Sequence, residues 1–353
     1  MNLLVINFMM DERHGALGWQ PRVVSELAAH CDHVLVITSQ VGVYVAPDNV
    51  TVETVPIRPF GIPQRLGGKW AYNAEVIRLC RKYRIDAVFV HMAMEWSYLL
   101  QPAFRLLKVP VVVWYAHGTV TGALRRAVAA ADRIVTSTPE GCRIDSDKVQ
   151  VIGQGVDTDL FRIPSTRTLT DIVYFGRVSP RKRIELLIET AARLNERGKL
   201  KDPQMKIVGP LLTPDDILYD HKMHAMLYDV GVQNHVRMLG YVPMEFSPPF
   251  YETAFLHLNL SQTGSMDKTV MEALACGCPV LTSNEAFVDL LSDFPEFTVR
   301  DERPDAIAEQ IEQIYSRREV YRPEDLRALV VGKHDLATYP QRVLNVIRPL
   351  AKQ

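Results

Sequence analysis

Cysteine is scarce and odd in number: five residues in 353 (Cys31, Cys80, Cys142, Cys276 and Cys278), which argues against a disulfide framework. Cys276 and Cys278 stand one residue apart in Ala275-Cys276-Gly277-Cys278-Pro279. No second Cys/His pair lies nearby, so they read as small packing residues rather than zinc ligands. No apolar window approaches the length that a membrane helix needs. The opening stretch Met1 to Phe8 is too short, and lacks the basic flank, to read as a signal peptide. Neither sign of charge dominates: 40 basic residues face 41 acidic ones, which removes the electrostatic pull toward nucleic acid. Short-period repeats and low-complexity tracts are absent as well. The expected location is cytoplasmic.

What remains is an ordinary globular composition, 47% hydrophobic and 23% charged, on a chain long enough to prefer two domains over one. Short apolar runs recur with helical patterns between them. In the first half they are Leu3 to Phe8, Val34 to Thr38, Ala87 to His91, Val109 to Tyr115, Arg133 to Ser137 and Val149 to Ile152. After a polar stretch at Arg162 to Thr168 they resume at Asp171 to Phe175, Gln204 to Val208, Val236 to Leu239, Leu256 to Leu260 and Val280 to Ser283. Strands apolar on both faces and alternating with helices predict parallel sheets covered by helices. The expected fold is α/β: two Rossmann-like domains, residues 1–165 and 166–335, facing a central cleft, with a terminal helix over 336–353.

Two segments carry chemistry. In Tyr174-Phe175-Gly176-Arg177-Val178-Ser179-Pro180-Arg181-Lys182-Arg183, a strand ends in a loop of cations. Arg177 offers a bidentate fork to phosphate oxygens and Lys182 a compact point charge, while Arg181 and Arg183 read as solvated neighbours. The second segment runs from Gly264 through Ser265, Met266, Asp267, Lys268 and Thr269 to Glu272, and opens a short helix that stops at Gly277-Cys278-Pro279. First-turn amides of such a helix favour a phosphate, and Glu272 is placed to accept hydrogen bonds from ribose hydroxyls. Lys268 at the helix start is costly unless it faces an anion. In the first half, Gly18 lies in a loop after the first strand that lacks the Gly-x-Gly-x-x-Gly spacing of a dinucleotide site. His117 ends an apolar run, where ligands of α/β sheets are expected.

Together these segments resemble the retaining glycosyltransferases of family four, which have the GT-B fold. The resemblance implies that Gly18 approaches the donor diphosphate, that His117 lies beside the donor sugar, and that Arg177 and Lys182 hold the diphosphate. It implies that Gly155-Val156-Asp157-Thr158-Asp159-Leu160-Phe161 is the signature ending the first domain, and that the terminal helix returns to that domain. Glu272-Ala273, with Gly277 and Pro279 behind it, is similar to the second glutamate of the family's pair, which binds ribose. The first glutamate should stand eight positions earlier, and there the residue is Gly264. The chain resembles a subgroup with Thr-Gly-Ser-x-Asp-Lys at this point, Thr263 to Lys268 here, in which Asp267 is expected to take over the sugar contact.

The implied reaction is retaining transfer from a nucleoside-diphosphate sugar, with no cofactor and no metal, to a glycan, lipid-linked or small-molecule acceptor. The rivals are a nucleotide-sugar epimerase and a silent nucleotide-sugar-binding protein. The mixed cationic and apolar stretch Arg58 to Trp70 is weighed as a peripheral contact with the inner membrane face, against an ordinary surface loop.

Overall fold

The computed structural model describes residues 1–54, 66–200, 204–262 and 264–351. Residues 58–65 of the stretch Arg58 to Trp70, and Thr263, lie outside the described residues. The chain divides into two units, Met1–Gly155 with Leu336–Gln353, and Val156–Asp335.

The first unit runs β1 Asn2–Ile6, β2 Met9–Met10, α1 Gln20–Ala28, β3 His33–Thr38, β4 Gln40–Val41, β5 Val50–Thr54 and α2 Leu66–Lys82. It continues with β6 Ala87–His91, α3 Glu95–Leu99, α4 Gln101–Leu107, β7 Val111–Trp114, α5 Gly122–Ala130, β8 Arg133–Thr136 and β9 Val149–Val151. Its main sheet has seven strands, all parallel, in the order β5-β3-β1-β6-β7-β8-β9. Side chains alternate across the strands, so Leu4, Ile6, Leu35, Val88 and Val90 build one core while Leu3, Val5, Val34, Val36 and Phe89 build another. Apolar residues on both faces are what a parallel sheet covered by helices requires. The strand at Val50–Thr54, absent from the sequence reading, pairs on one side only and is half-exposed, so it carries no continuous apolar run.

The second unit runs β10 Asp171–Phe175, α6 Ile184–Arg197, β11 Met205–Val208, α7 Pro214–Asp229, β12 Val236–Gly240, α8 Pro248–Thr253 and β13 Ala254–Asn259. It ends with α9 Lys268–Ala275, β14 Val280–Thr282, α10 Pro304–Ser316 and α11 Pro323–Ala328. Its five strands are parallel, in the order β12-β11-β10-β13-β14. The last helix, α12 (Tyr339–Ala351), belongs to the first unit: Tyr339, Val343, Leu344 and Ile347 join the core of Leu3 and Val34.

The chain leaves the first unit at Gly155, not near residue 165 as the polar stretch suggested. Val156 donates to the His334 carbonyl at 2.8 Å, Thr158 to Asp335 at 2.5 Å, and Phe161 is fully buried in the second core. Arg327 on α11 fixes this entry, donating to the carbonyls of Phe161 (2.6 Å) and Thr158 (2.9 Å). The same guanidinium donates to Ala275, the last residue of α9, at 2.7 Å.

Candidate active site

In both sheets the order of strands reverses beside the first strand: between β1 and β6 in one unit, and between β10 and β13 in the other. Ligands of open α/β sheets bind outside the carboxyl ends of the strands at such a reversal. In the second unit the loops leaving β10 and β13 are the two segments singled out above.

Two ties bring them together, and a third steadies the second segment. The Thr269 hydroxyl donates to the carbonyl of Phe175, the last residue of β10, at 2.9 Å, which fastens the first turn of α9 to the end of that strand. The Lys182 ammonium donates to Asp267 Oδ1 at 2.7 Å. From the other side, the Asn284 amide beyond β14 donates to the Ser265 carbonyl at 2.7 Å. Close backbone approach adds to this: a Cβ on Gly209 would stand 1.7 Å from the Gly176 carbonyl oxygen, so the loops after β10 and β11 require glycine there.

The Arg177 fork is occupied. Its Nε and Nη2 donate to the two oxygens of Asp216 at 2.8 and 2.9 Å, and Nη2 reaches Thr213 at 3.3 Å. Asp216 is buried and closes the capping box of α7 with Thr213, while its carboxylate also accepts from the Leu212 and Thr213 amides. Burial alone would raise its pKa, but Arg177 and these amides outweigh burial and hold it below the usual carboxylate range. Of the fork expected to take phosphate, Asp216 and Thr213 engage Nε and Nη2, and the donors of Nη1 are the part they do not engage. Arg183, read as solvated, donates instead to Glu302 at 2.9 Å.

Asp267 is held by protein donors. Oδ1 accepts from Lys182, and Oδ2 accepts from Asn259 Nδ2 at 3.0 Å and Ser261 Oγ at 2.5 Å. Three protein donors engage the carboxylate that was expected to take over the sugar contact, one at Oδ1 and two at Oδ2. Burial pushes its pKa up, and the Lys182 charge with these hydrogen bonds brings it below the usual range. Lys268 opens α9; burial draws its pKa down to about 7, against the pull of Glu272 one turn further on. Glu272 is buried inside α9, and Met266 points into the core. Gly264 is buried and left-handed, at φ 64°, a backbone that side chains other than glycine adopt at a cost.

Gly18 and His117 lie in the first unit. A Cβ on Gly18 would stand 2.5 Å from the Glu12 carbonyl oxygen, so its own loop demands glycine there. His117 is exposed beyond the end of β7, its amide donating to the Gly141 carbonyl at 2.7 Å. The sequence shows no Asp-x-Asp motif in the two segments that carry chemistry, but two such triplets stand elsewhere in it, Asp145-Ser146-Asp147 in the first unit and Asp157-Thr158-Asp159 at the start of the second. Asp157 caps its own turn through Leu160 N at 2.9 Å, Asp159 pairs with Arg162 at 3.1 Å, and Asp145 and Asp147 are exposed after β8. Among the described residues, no group of three or more His, Cys, Asp or Glu is placed to hold a metal ion, and no helix is long and apolar enough to cross a membrane.

Two family models match the chain: Glycosyl transferases group 1 over residues 157–327, and Glycosyltransferase Family 4 over residues 22–160. The chain is similar to the D-inositol 3-phosphate glycosyltransferase of Geodermatophilus obscurus, 28% identical over 178 residues, covering 45% of this chain and 39% of the relative. It is also similar to the O-antigen chain mannosyltransferase B of Escherichia coli, 28% identical over 166 residues, 44% of this chain and 38% of the relative. The chain spans about two fifths of the length of these curated relatives. Among solved structures, Anabaena HepE in complex with UDP and glucose superposes with a TM-score of 0.79 at 16% identity, over 99% of this chain and 100% of that one. The fold is that of the GT-B glycosyltransferases. Between them the two models match residues in both units.

Proposed function

We propose that the protein transfers a sugar from a nucleoside-diphosphate sugar to an acceptor, with retention at the anomeric carbon and without a metal ion. The observation that carries the reading is the meeting of Lys182 and the first turn of α9 at the reversal between β10 and β13. HepE, of the same fold, is solved with UDP and glucose, which supports a nucleotide-sugar donor.

Departure of the diphosphate is the energetic problem. As the bond from the anomeric carbon to the phosphate oxygen breaks, its electron pair moves onto the leaving diphosphate. Lys182, the outer edge of Arg177 and the amides from Ser265 to Lys268 stabilise that charge. Preorganised donors of this kind contribute about 3–4 kcal/mol each by single removal. They do here the work that a divalent cation does elsewhere. Glu272 accepts from the ribose hydroxyls. The acceptor hydroxyl attacks from the face the diphosphate leaves, and its proton passes to the departing phosphate oxygen. Acceptors are glycans, lipid-linked sugars or small molecules, in glycan or glycoconjugate assembly; the names of the two relatives fit that class.

A thermal-shift panel of uridine, guanosine and adenosine diphosphate sugars identifies the donor, since a ligand at a hundred times its Kd stabilises by about 2.7 kcal/mol. Transfer is then followed with excess chelator, and the anomeric configuration of the product read by NMR. Binding without transfer would leave a silent binding protein. An inverted product, or activity lost in chelator and restored by manganese, would overturn the mechanism.

A further inference from the structure

We propose that Asp267 is a positioning residue that sets the Lys182 ammonium for the donor diphosphate, a role resting on the function proposed above. Asp267 occupies the N-cap of α9, where an aspartate ordinarily accepts from the first-turn amides of its own helix, yet its side chain makes no cap hydrogen bond. The carboxylate is turned the other way. Oδ1 takes Lys182, which comes from the loop after β10, 85 positions away in sequence. Oδ2 is anchored by Asn259 at the end of β13 and by Ser261 just beyond it. Asn259 is in turn held by the Thr282 hydroxyl of β14, 3.2 Å from its Oδ1.

The chain of contacts therefore runs from the buried ends of two strands to one ammonium. A lysine stem has four rotatable bonds, and fixing them on ligand binding costs affinity. Here the stem is fixed beforehand, and one of its three N–H donors is used in doing so. The other two remain for phosphate oxygens. Turning the carboxylate away from α9 has a second effect: its negative charge does not cap the first-turn amides that the diphosphate also needs. Asp216 serves Arg177 in the same manner, but it caps α7 as well, so Asp267 gives the cleaner test.

The test is a double-mutant cycle on nucleoside diphosphate affinity, by calorimetry with UDP, GDP and ADP. Asp267→Asn is expected to weaken the diphosphate that the wild type binds by tenfold or more. Lys182→Met weakens it further, and Asp267→Asn in that background adds nothing. Unchanged affinity overturns the proposal, because a residue that only contacts the sugar, or only supports the fold, does not act on a ligand without sugar. Tighter binding overturns it too, since that is the mark of a carboxylate that merely repels phosphate. Losses that add in the double variant also refute it. Should Asp267→Asn fail to fold, Ser261→Ala decides: it keeps the charge, removes one anchor, and is expected to cost a few-fold in affinity, with no loss sinking the idea. A wild type that binds none of the three diphosphates instead overturns the proposed function itself.

Discussion

The two units share a strand order and differ in what their strand-end carboxylates hold. In the first unit, Asp11 accepts from the amides of Arg13 (3.0 Å) and Val43 (3.2 Å), and Glu12 from that of Val45 (3.3 Å). These acids bind backbone, and their effect is to lace the loop after β2 to the segment after β4. In the second unit, Asp216 and Asp267 bind the side chains of Arg177 and Lys182. One sheet edge uses acids to fix a loop; the other uses them to aim cations. Topology decides where loops gather, and the loop residues decide what the gathering can do.

The largest test of this contrast is Lys182→Ala. Nucleoside diphosphate affinity should fall by about 10²–10³-fold and transfer with it, as for the loss of one preorganised donor. Removing the ammonium also strips the buried Asp267 carboxylate of its charge partner, so the thermal midpoint should fall as well, and affinity is read on the folded variant. Equal affinity in the variant, measured by calorimetry, would erase the distinction between the two edges.

Acid provides the next test, because the second unit hides a titratable ring. His257, in β13, is wholly buried, and neither ring nitrogen has a hydrogen-bond partner. Burial lowers its pKa from 6.5 to about 3, with Asp267 pulling upward and Lys182 downward. The unfolded chain takes up this proton below about pH 6.5, and the folded one only near pH 3. Stability is thus whole above pH 6.5 and drains as pH falls through that window, by about 2–3 kcal/mol at pH 4.5. Hydrogen exchange at pH 4.5 should therefore show amides around β13 losing protection. In His257→Leu the pH dependence of the denaturation midpoint should flatten; an unchanged slope would clear the histidine.

The smallest effect is expected at the other edge. Asp11→Asn weakens two hydrogen bonds to a half-exposed carboxylate, worth about 1 kcal/mol in all. Diphosphate affinity should stay at the wild-type value. A tenfold loss would show that the first unit's acids also serve the donor.

Much of this was legible beforehand. Runs such as Ala87–His91 and Asp171–Phe175 coincide with β6 and β10 residue for residue, because strands buried on both faces leave an uninterrupted apolar signature. The edge strand β5 left no such mark. At the site, residue types and spacing exposed the cations but not what holds them. Asp216, Asn259 and Ser261 arrive from other elements, and no local pattern ties them to Arg177 or Lys182. One signal was available: Thr213-Pro214-Asp215-Asp216 spells a capping box, which marks the start of α7 and hence a carboxylate at the sheet edge. Nor does the N-cap position of Asp267 point to its partners, since a residue well suited to cap its helix accepts from Lys182, Asn259 and Ser261 instead.

The matching of three of these cations by one acid each bears on how a donor of the proposed kind would arrive. Arg177 with Asp216, Lys182 with Asp267 and Arg183 with Glu302 sum to no net charge. Their combined field decays quickly, within a Debye length of about 8 Å at physiological ionic strength. An anionic donor is then not drawn in from a distance, and its encounter rate should vary little between dilute buffer and concentrated salt. Discrimination in favour of a diphosphate begins only after contact, when its oxygens share cations that already have partners, and it is expressed in how slowly the donor leaves rather than how fast it comes.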